Sequence, residues 1–275
     1  MNTFTGKTAL VSGSGRGIGA AIARKLAAHG ANVVVNDLDP VAANAVVADI
    51  ESAGGTAVAC AGNVTEEGFA ERFVDSAVGS FGGLDIIVNN AGYTWDGVIQ
   101  KTTDEQWDAI LDVHLKAPYR ILRAAQPVIS AAAKRETAAG QRITRKVVNI
   151  SSLAGLYGNA GQVNYSSAKA GILGMTKAMA KEWGRYHVTV NAVAFGLIKT
   201  RLTEASADGD ATVEIEGREI KVGVNPMLLE AAQHIAPLGR LGTPQEAAGA
   251  VYLLCLPESD YITGEVLACS GGLIG

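Results

Sequence analysis

Short apolar runs alternate along the whole chain with longer segments of helical period, and this alternation restricts the fold more than any other feature. The runs are Thr8–Val11, Asn32–Asn36, Thr56–Cys60, Leu84–Asn89, Lys146–Ile150, Thr189–Val193 and Glu265–Ala268. The central ones are almost continuously apolar instead of alternating, which suits strands covered on both faces. Between them the spacing predicts helices over Gly17–His29, Pro40–Ala53, Glu66–Phe81, Thr103–Ala133, Gln162–Trp183 and Pro244–Leu256. Pro40 and Pro244 fall where a first helical turn tolerates proline. Right-handed crossovers then give an α/β fold: a seven-stranded parallel, doubly wound sheet with helices on both faces, and residues 1–275 as one domain.

One segment breaks the rhythm. Residues 203–237 are polar and rich in Gly, Asp and Ala before turning apolar at Met227 to Leu229. Within it, Thr212 to Val222 alternates around Gly217 and predicts a hairpin. The insertion follows the sixth strand on the side where ligands enter doubly wound sheets, so a substrate lid is the expectation, against a surface ornament or a subunit contact.

Composition sets outer limits. Hydrophobic residues make up 48% and charged residues 18%, enough for a large core and against disorder. A net charge of −4 argues against a nucleic-acid partner. The basic run from Lys134 to Lys146 reads as a solvated connection at the edge of the sheet. Three cysteines, Cys60, Cys255 and Cys269, imply no disulfide framework, and no metal-ligand spacing occurs. A polar start from Met1 to Lys7 and the lack of any apolar stretch near 18 residues predict a cytoplasmic protein without membrane contact.

The first strand runs into Ser12, Gly13, Ser14, Gly15, Arg16, Gly17, Ile18 and Gly19, and then into helix. Glycines there permit a tight turn, close approach to a pyrophosphate and close helix–strand packing, as in a Rossmann dinucleotide site. Asp37, 18 residues beyond Gly19 at the tip of the second strand, would accept hydrogen bonds from adenosine ribose hydroxyls. A 2′-phosphate would face Asp37 and Asp39; at about 5 Å and an effective dielectric near 20 each pair repels by roughly 3 kcal/mol. Arg16 is the one residue that favours NADP. NAD is the expected cofactor.

Tyr165 and Lys169 are spaced i, i+4 and share a helix face. A tyrosine of pKa near 10 needs about 4 kcal/mol of phenolate stabilisation to work near neutrality. A lysine ammonium one turn away and an oxidised nicotinamide ring have the right charge. Ser152, after the fifth strand, could fix a reacting carbonyl oxygen.

With Ser12 through Gly19, Asn89 through Gly92, Ser152, Tyr165, Lys169 and the Gly196-to-Thr200 stretch in order, and Ser152 preceding Tyr165 by 13, the chain resembles the short-chain dehydrogenase/reductase family over nearly its whole length. The resemblance implies that Asn90, Ala91 and Gly92 lie against the adenosine ribose, Asn63 and Val64 flank the adenine, Leu38 also binds the cofactor, and Ile198 and Thr200 hold the nicotinamide amide and its phosphate. Lys169 would also bind the nicotinamide ribose. Asn63 stands where the family more often has Asp, and two further positions depart from the pattern. His114 stands where the family usually has Asn, whose main-chain carbonyl holds a water leading to the lysine. Phe195 replaces a proline before Gly196, which puts the stiffness of the cofactor loop in question.

Val33 to Leu38, His114 and Gly155 to Gln162 are similar to the (3R)-hydroxyacyl-CoA dehydrogenase part of peroxisomal multifunctional enzymes, and Gly158 to Gln162 and Pro237 to Gly242 resemble 3-oxoacyl-[acyl-carrier-protein] reductases. The implied reaction is hydride transfer between NAD(H) and a 3-hydroxyacyl/3-oxoacyl thioester, with Trp95, Leu153, Tyr157 and Gln162 on the substrate wall and Tyr93, Met227 and Leu228 near it. Other secondary alcohols (sugars, steroids, small alcohols) and a non-catalytic dinucleotide sensor are the alternatives. Intact Ser152, Tyr165 and Lys169 argue against the sensor. An extended-branch epimerase would need a C-terminal substrate domain after the last strand. By the same resemblance the chain forms a homotetramer.

Overall fold

The computed structural model describes residues 2–200, 212–215, 218–221 and 235–273. Nine strands occur among them: β1 (Thr8–Val11), β2 (Asn32–Val35), β3 (Thr56–Ala59), β4 (Ile86–Asn89), β5 (Arg145–Ser152), β6 (Val188–Phe195), β7 (Thr212–Ile215), β8 (Arg218–Lys221) and β9 (Val266–Cys269). Seven form one parallel sheet in the order β3-β2-β1-β4-β5-β6-β9. β1, β4 and nearly all of β5 and β6 are buried, as continuous apolar runs require. Strand order reverses between β1 and β4, which opens a crevice at their carboxyl ends.

Helices α1 (Gly17–Ala28), α2 (Pro40–Ser52) and α8 (Pro244–Cys255) cover one face, where Ile22, Leu26, Val46 and Val251 pack onto β1, β2 and β6. On the other face lie α3 (Phe69–Phe81), α5 (Ala117–Ala138) and α7 (Val163–Trp183), whose Phe69, Phe73, Ile121, Leu122 and Trp183 meet Leu10, Ile87 and Val190. Capping explains several boundaries. Thr103 and Thr243 each close a capping box, with Gln106 and Glu246, at the starts of α4 (Asp104–Leu111) and α8. Asp39 caps α2 ahead of Pro40.

The long helix expected over Thr103–Ala133 is interrupted. A π-helical turn over Asp112–Lys116 separates α4 from α5, and α5 runs on to Ala138. Helix α3 begins at Phe69, not Glu66, because Gly68 sits in the left-handed region (φ 77°) at its start. A short helix, α6 (Leu153–Tyr157), follows β5 directly.

The basic run is only partly solvated. Lys134, Arg135 and Arg142 are exposed, but Arg145 and Lys146 begin β5 and are buried. The Arg145 guanidinium grips Glu136 and donates to the Leu84 carbonyl, and Lys146 pairs with Asp260 at 2.7 Å. Burial without partners would be prohibitive, so each cation carries its counter-ion with it.

β7 and β8 pair antiparallel, from Thr212↔Lys221 to Ile215↔Arg218, so the hairpin is present. Gly217, Val222, Met227, Leu228 and the expected lid contact lie outside the described residues. No described helix is long and apolar enough to cross a membrane.

Candidate active site

The glycine turn leaves β1 and is held from three directions. The Ser12 hydroxyl accepts from the backbone N–H groups of Asn90 (3.0 Å) and Ala91 (3.1 Å), and the Asn90 amide donates to the carbonyls of Ser12 and Gly13, both at 2.9 Å. The Gly13 N–H donates to the Asn36 side chain at 3.1 Å. Gly13 has φ 61°, and a Cβ there would lie 2.7 Å from the Ala91 α-carbon. A Cβ on Gly19 would overlap the Gly13 carbonyl oxygen. Both positions therefore need glycine for space, and Gly13 for backbone angle as well. The turn delivers the chain to the N-terminus of α1, where free N–H groups and the helix dipole favour phosphate.

Asp37 is held at the lip of this turn. Its carboxylate accepts from the N–H of Gly15 and the N–H of Asp39, both at 3.1 Å. Arg16, half-exposed, is bonded to Asp39 and lies 3.7 Å from Asp37. Its guanidinium and the adjoining backbone N–H groups hold Asp39 below the usual carboxylate range. Leu38 is 46% exposed beside them, a free apolar face. Val64 is buried, but the Asn63 amide oxygen accepts from the Thr65 N–H and hydroxyl, both at 2.9 Å, so it serves a local turn.

Gly196, Ile198 and Thr200 reach the same crevice from the end of β6. The Gly196 N–H donates to the Cys269 carbonyl, Ile198 bridges Gly242, and the Thr200 methyl would stand 3.8 Å from a Cβ on Gly17. Phe195, in place of proline, is the last residue of β6, paired between Ser152 and Cys269. The sheet itself therefore stiffens the start of the loop that follows.

Ser152, Tyr165 and Lys169 converge at the carboxyl end of β5. Ser152 ends the strand and caps α6, accepting from the Ala154 N–H at 3.2 Å. Lys169 is 4% exposed and donates to the Ile150 carbonyl at 2.7 Å, with its ammonium 5.7 Å from the Tyr165 ring centre. Its backbone is pinned too: the Ser151 hydroxyl donates to the Lys169 carbonyl at 2.8 Å, and a Cβ on Gly155 would lie 2.6 Å from it. Burial alone lowers Lys169 to about 7. Tyr165 moves the other way. Desolvation pushes its phenol up to about 12, with a hydrogen bond from Ser152 opposing the rise and the Asp96 carboxylate adding to it. In the protein alone burial therefore dominates the phenol, before any charge from a bound nicotinamide ring is added.

His114 sits in the π turn, 4% exposed, with its ring perpendicular to that of Tyr165 at 5.1 Å between centres. A Cβ on Gly92 would fall inside the His114 imidazole, so packing against this ring already accounts for the glycine. Burial, with the Lys169 charge second, lowers His114 well below the ordinary histidine value.

The mouth of the site is framed by two loops. The Gly97 N–H donates to the Gly161 carbonyl at 2.8 Å, and the Gln162 amide donates to Asp96 at 2.8 Å. Packing around the Asp96 carboxyl raises it above the usual range, against the pull of Gln162. Leu153, Gln162 and Trp95 are half-buried along this rim, while Tyr157 is 55% exposed on its outer side.

Asn164 and Asp96 were not singled out from the sequence. Asn164 is fully buried beside Tyr165, and its amide donates to the carbonyls of Trp95 (3.1 Å) and Gln106 (3.3 Å) while its oxygen accepts from the Tyr165 N–H. It ties the start of α7 to the rim loop and to α4. Its direct neighbour in sequence, the candidate tyrosine, was the one available signal.

A family model described as enoyl-(acyl carrier protein) reductase matches residues 13–274. A 3-oxoacyl-[acyl-carrier-protein] reductase of Synechocystis is 37% identical, over 100% of this chain and 99% of that protein. The reductases FabG of Thermotoga maritima and Escherichia coli are 34% and 37% identical, each over 98% of both chains. With full-length likeness of this degree, a parallel sheet reversing at a glycine-bound crevice, and Ser152, Tyr165 and Lys169 gathered at its rim, the chain belongs to the short-chain dehydrogenase/reductase family and is an oxidoreductase acting on CH–OH and ketone groups.

Proposed function

We propose that the protein transfers hydride between NAD(H) and a 3-hydroxyacyl/3-oxoacyl thioester. The observation that carries the reading is the meeting of Ser152, Tyr165 and Lys169 beside a dinucleotide-shaped turn, in a chain whose full-length relatives are 3-oxoacyl-[acyl-carrier-protein] reductases. Tyr165 exchanges the proton with the substrate oxygen, Ser152 positions that oxygen, and Lys169 supplies positive charge and binds the nicotinamide ribose. The oxidised nicotinamide ring, when present, adds the charge that brings the phenol down from its buried value. Ser12, Gly13, Gly15, Gly17, Ile18 and Gly19 cradle the pyrophosphate, with Asn90, Ala91 and Gly92 along the adenosine side. Leu38 and Val64 flank the adenine, and Gly196, Ile198 and Thr200 hold the nicotinamide end.

The choice of NAD rests on Asp37 and on Arg16. Asp37 is fixed by two N–H donors at the lip, and Arg16, the base beside it that could welcome a 2′-phosphate, is already bonded to Asp39. A cytoplasmic homotetramer is part of the same proposal, supported by apolar side chains left exposed on the described surface, Tyr261, Ile262 and Leu253 among them. Light scattering would read its mass. The decisive assay measures kcat/KM with NADH and NADPH over 3-oxoacyl thioesters, 3-ketosteroids and sugar ketones. The thioester with NADH should lead; turnover with NADPH alone, or with steroid or sugar alone, would overturn the reading.

A further inference from the structure

One buried polar atom beside Tyr165 has no partner. Nδ1 of His114 is enclosed by protein and receives no hydrogen bond from any described residue. The other ring nitrogen, Nε2, lies 2.7 Å from the Tyr93 carbonyl oxygen. A carbonyl only accepts, so Nε2 carries the hydrogen. The ring is 4% exposed, and its surroundings keep it neutral. A neutral imidazole protonated on Nε2 has a lone pair on Nδ1. Leaving that lone pair in a dry site without a donor is unfavourable.

The surroundings say where a donor comes from. The ring stands against the Tyr165 ring and fills the space that a Cβ on Gly92 would need. Gly92 continues from Asn90 and Ala91, which hold the Ser12 end of the dinucleotide turn. The imidazole is therefore wedged between the cofactor cradle and the proton-transfer residue. The two polar side chains grouped with Tyr165 are engaged elsewhere, Lys169 with the Ile150 carbonyl and Ser152 with the Tyr165 phenol. The π turn reinforces the point. It buries both Val113 and His114 within the single widened turn between α4 and α5, an irregularity that often marks a working residue.

We propose that the His114 side chain is a positioning residue: Nδ1 accepts a hydrogen bond from an O–H group in the catalytic crevice and fixes that hydroxyl beside Tyr165 and Lys169. This assigns work to the imidazole, separate from the main-chain role that the family resemblance gives this position, and it rests on Tyr165 being the proton-transfer residue. The shared chemistry is a hydroxyl donor. Its two sources are a bound water and a ribose hydroxyl of the dinucleotide.

The test is long-range 1H–15N correlation on protein labelled at its four histidines, with His114→Asn to assign the signal. The expected result is the neutral Nε2–H tautomer with Nδ1 shifted away from the position of a bare acceptor. A shift present without nucleotide assigns water, and a shift that appears only with NAD+ assigns the ribose hydroxyl. An Nδ1–H tautomer, or a bare Nδ1 in both states, overturns the inference. This readout needs no substrate, so it stands apart from the thioester assignment. In turnover, His114→Phe should lose kcat by about tenfold with little change in KM, while His114→Gln, which keeps an acceptor, should recover most of it. Equal loss in both variants means that the ring only fills space and refutes the proposal.

Discussion

Replacing Lys169 with methionine isolates the charge that acts on Tyr165 while keeping most of the side chain's length. The Lys169 ammonium lies 5.7 Å from the Tyr165 ring centre. At an effective dielectric near 20, that separation is worth about 3 kcal/mol of attraction for a phenolate, or about two pKa units. Burial holds Tyr165 at about 12 in the protein alone, so any positive charge kept beside the phenolate works toward what it needs to act as a base near neutrality. Alcohol oxidation by wild-type protein should rise with pH along one acid limb. In Lys169→Met that limb should move up by about two units, and kcat at pH 7 should fall about 100-fold. The assay is the pH profile of kcat under saturating NAD+, with nucleotide affinity measured separately by fluorescence titration. If the limb stays in place while kcat drops, the lysine acts by holding ribose alone and the electrostatic argument fails.

Lys169 also makes a thermodynamic prediction with a definite sign. Its native value of about 7 lies below the ordinary lysine value of 10.5, so between those limits the unfolded chain binds more protons and stability rises with pH. Chemical denaturation should show that rise in wild type and its loss in Lys169→Met, which should be the more stable protein at pH 7; a flat wild-type profile would contradict it. Gly19→Ala should weaken NAD+ binding by about 100-fold or abolish it, because its Cβ meets the Gly13 carbonyl and the turn must open; isothermal titration reads this, and unchanged affinity would show that the turn does not contact the nucleotide. Asp37→Asn keeps an acceptor for the N–H of Gly15 but removes the charge, so the NADP+/NAD+ ratio of kcat/KM should rise about tenfold or more. An unchanged ratio would leave Asp37 without a part in selection.

The fold was legible because period and hydrophobicity agree across the chain. Every predicted sheet strand appears within two residues, and the Thr212-to-Val222 alternation does form β7 and β8. Two features resisted. The break between α4 and α5 has no glycine or proline at its centre: Asp112 to Lys116 continue a good helical pattern, yet the π turn over them buries both Val113 and His114. The buried cations Arg145 and Lys146 looked like surface charge because their partners, Glu136 and Asp260, are set by tertiary contacts. At the candidate site, spacing pointed to Tyr165 and Lys169, and order along the chain pointed to Ser152. Asn164 and Asp96 stayed hidden, for their importance lies in carbonyls and amides on separate loops. The relation between Gly92 and His114, 22 positions apart, was equally unreadable, although each residue had been noted for another reason.

Tyr165→Phe tests the core of the account, since it deletes one oxygen from a ring whose packing against His114 can remain. NADH-dependent reduction of a 3-oxoacyl thioester should fall by at least about 1,000-fold while NADH binds within a few-fold of wild type. Turnover at the wild-type rate by a variant that still binds NADH would show that the phenol of Tyr165 does not carry the proton.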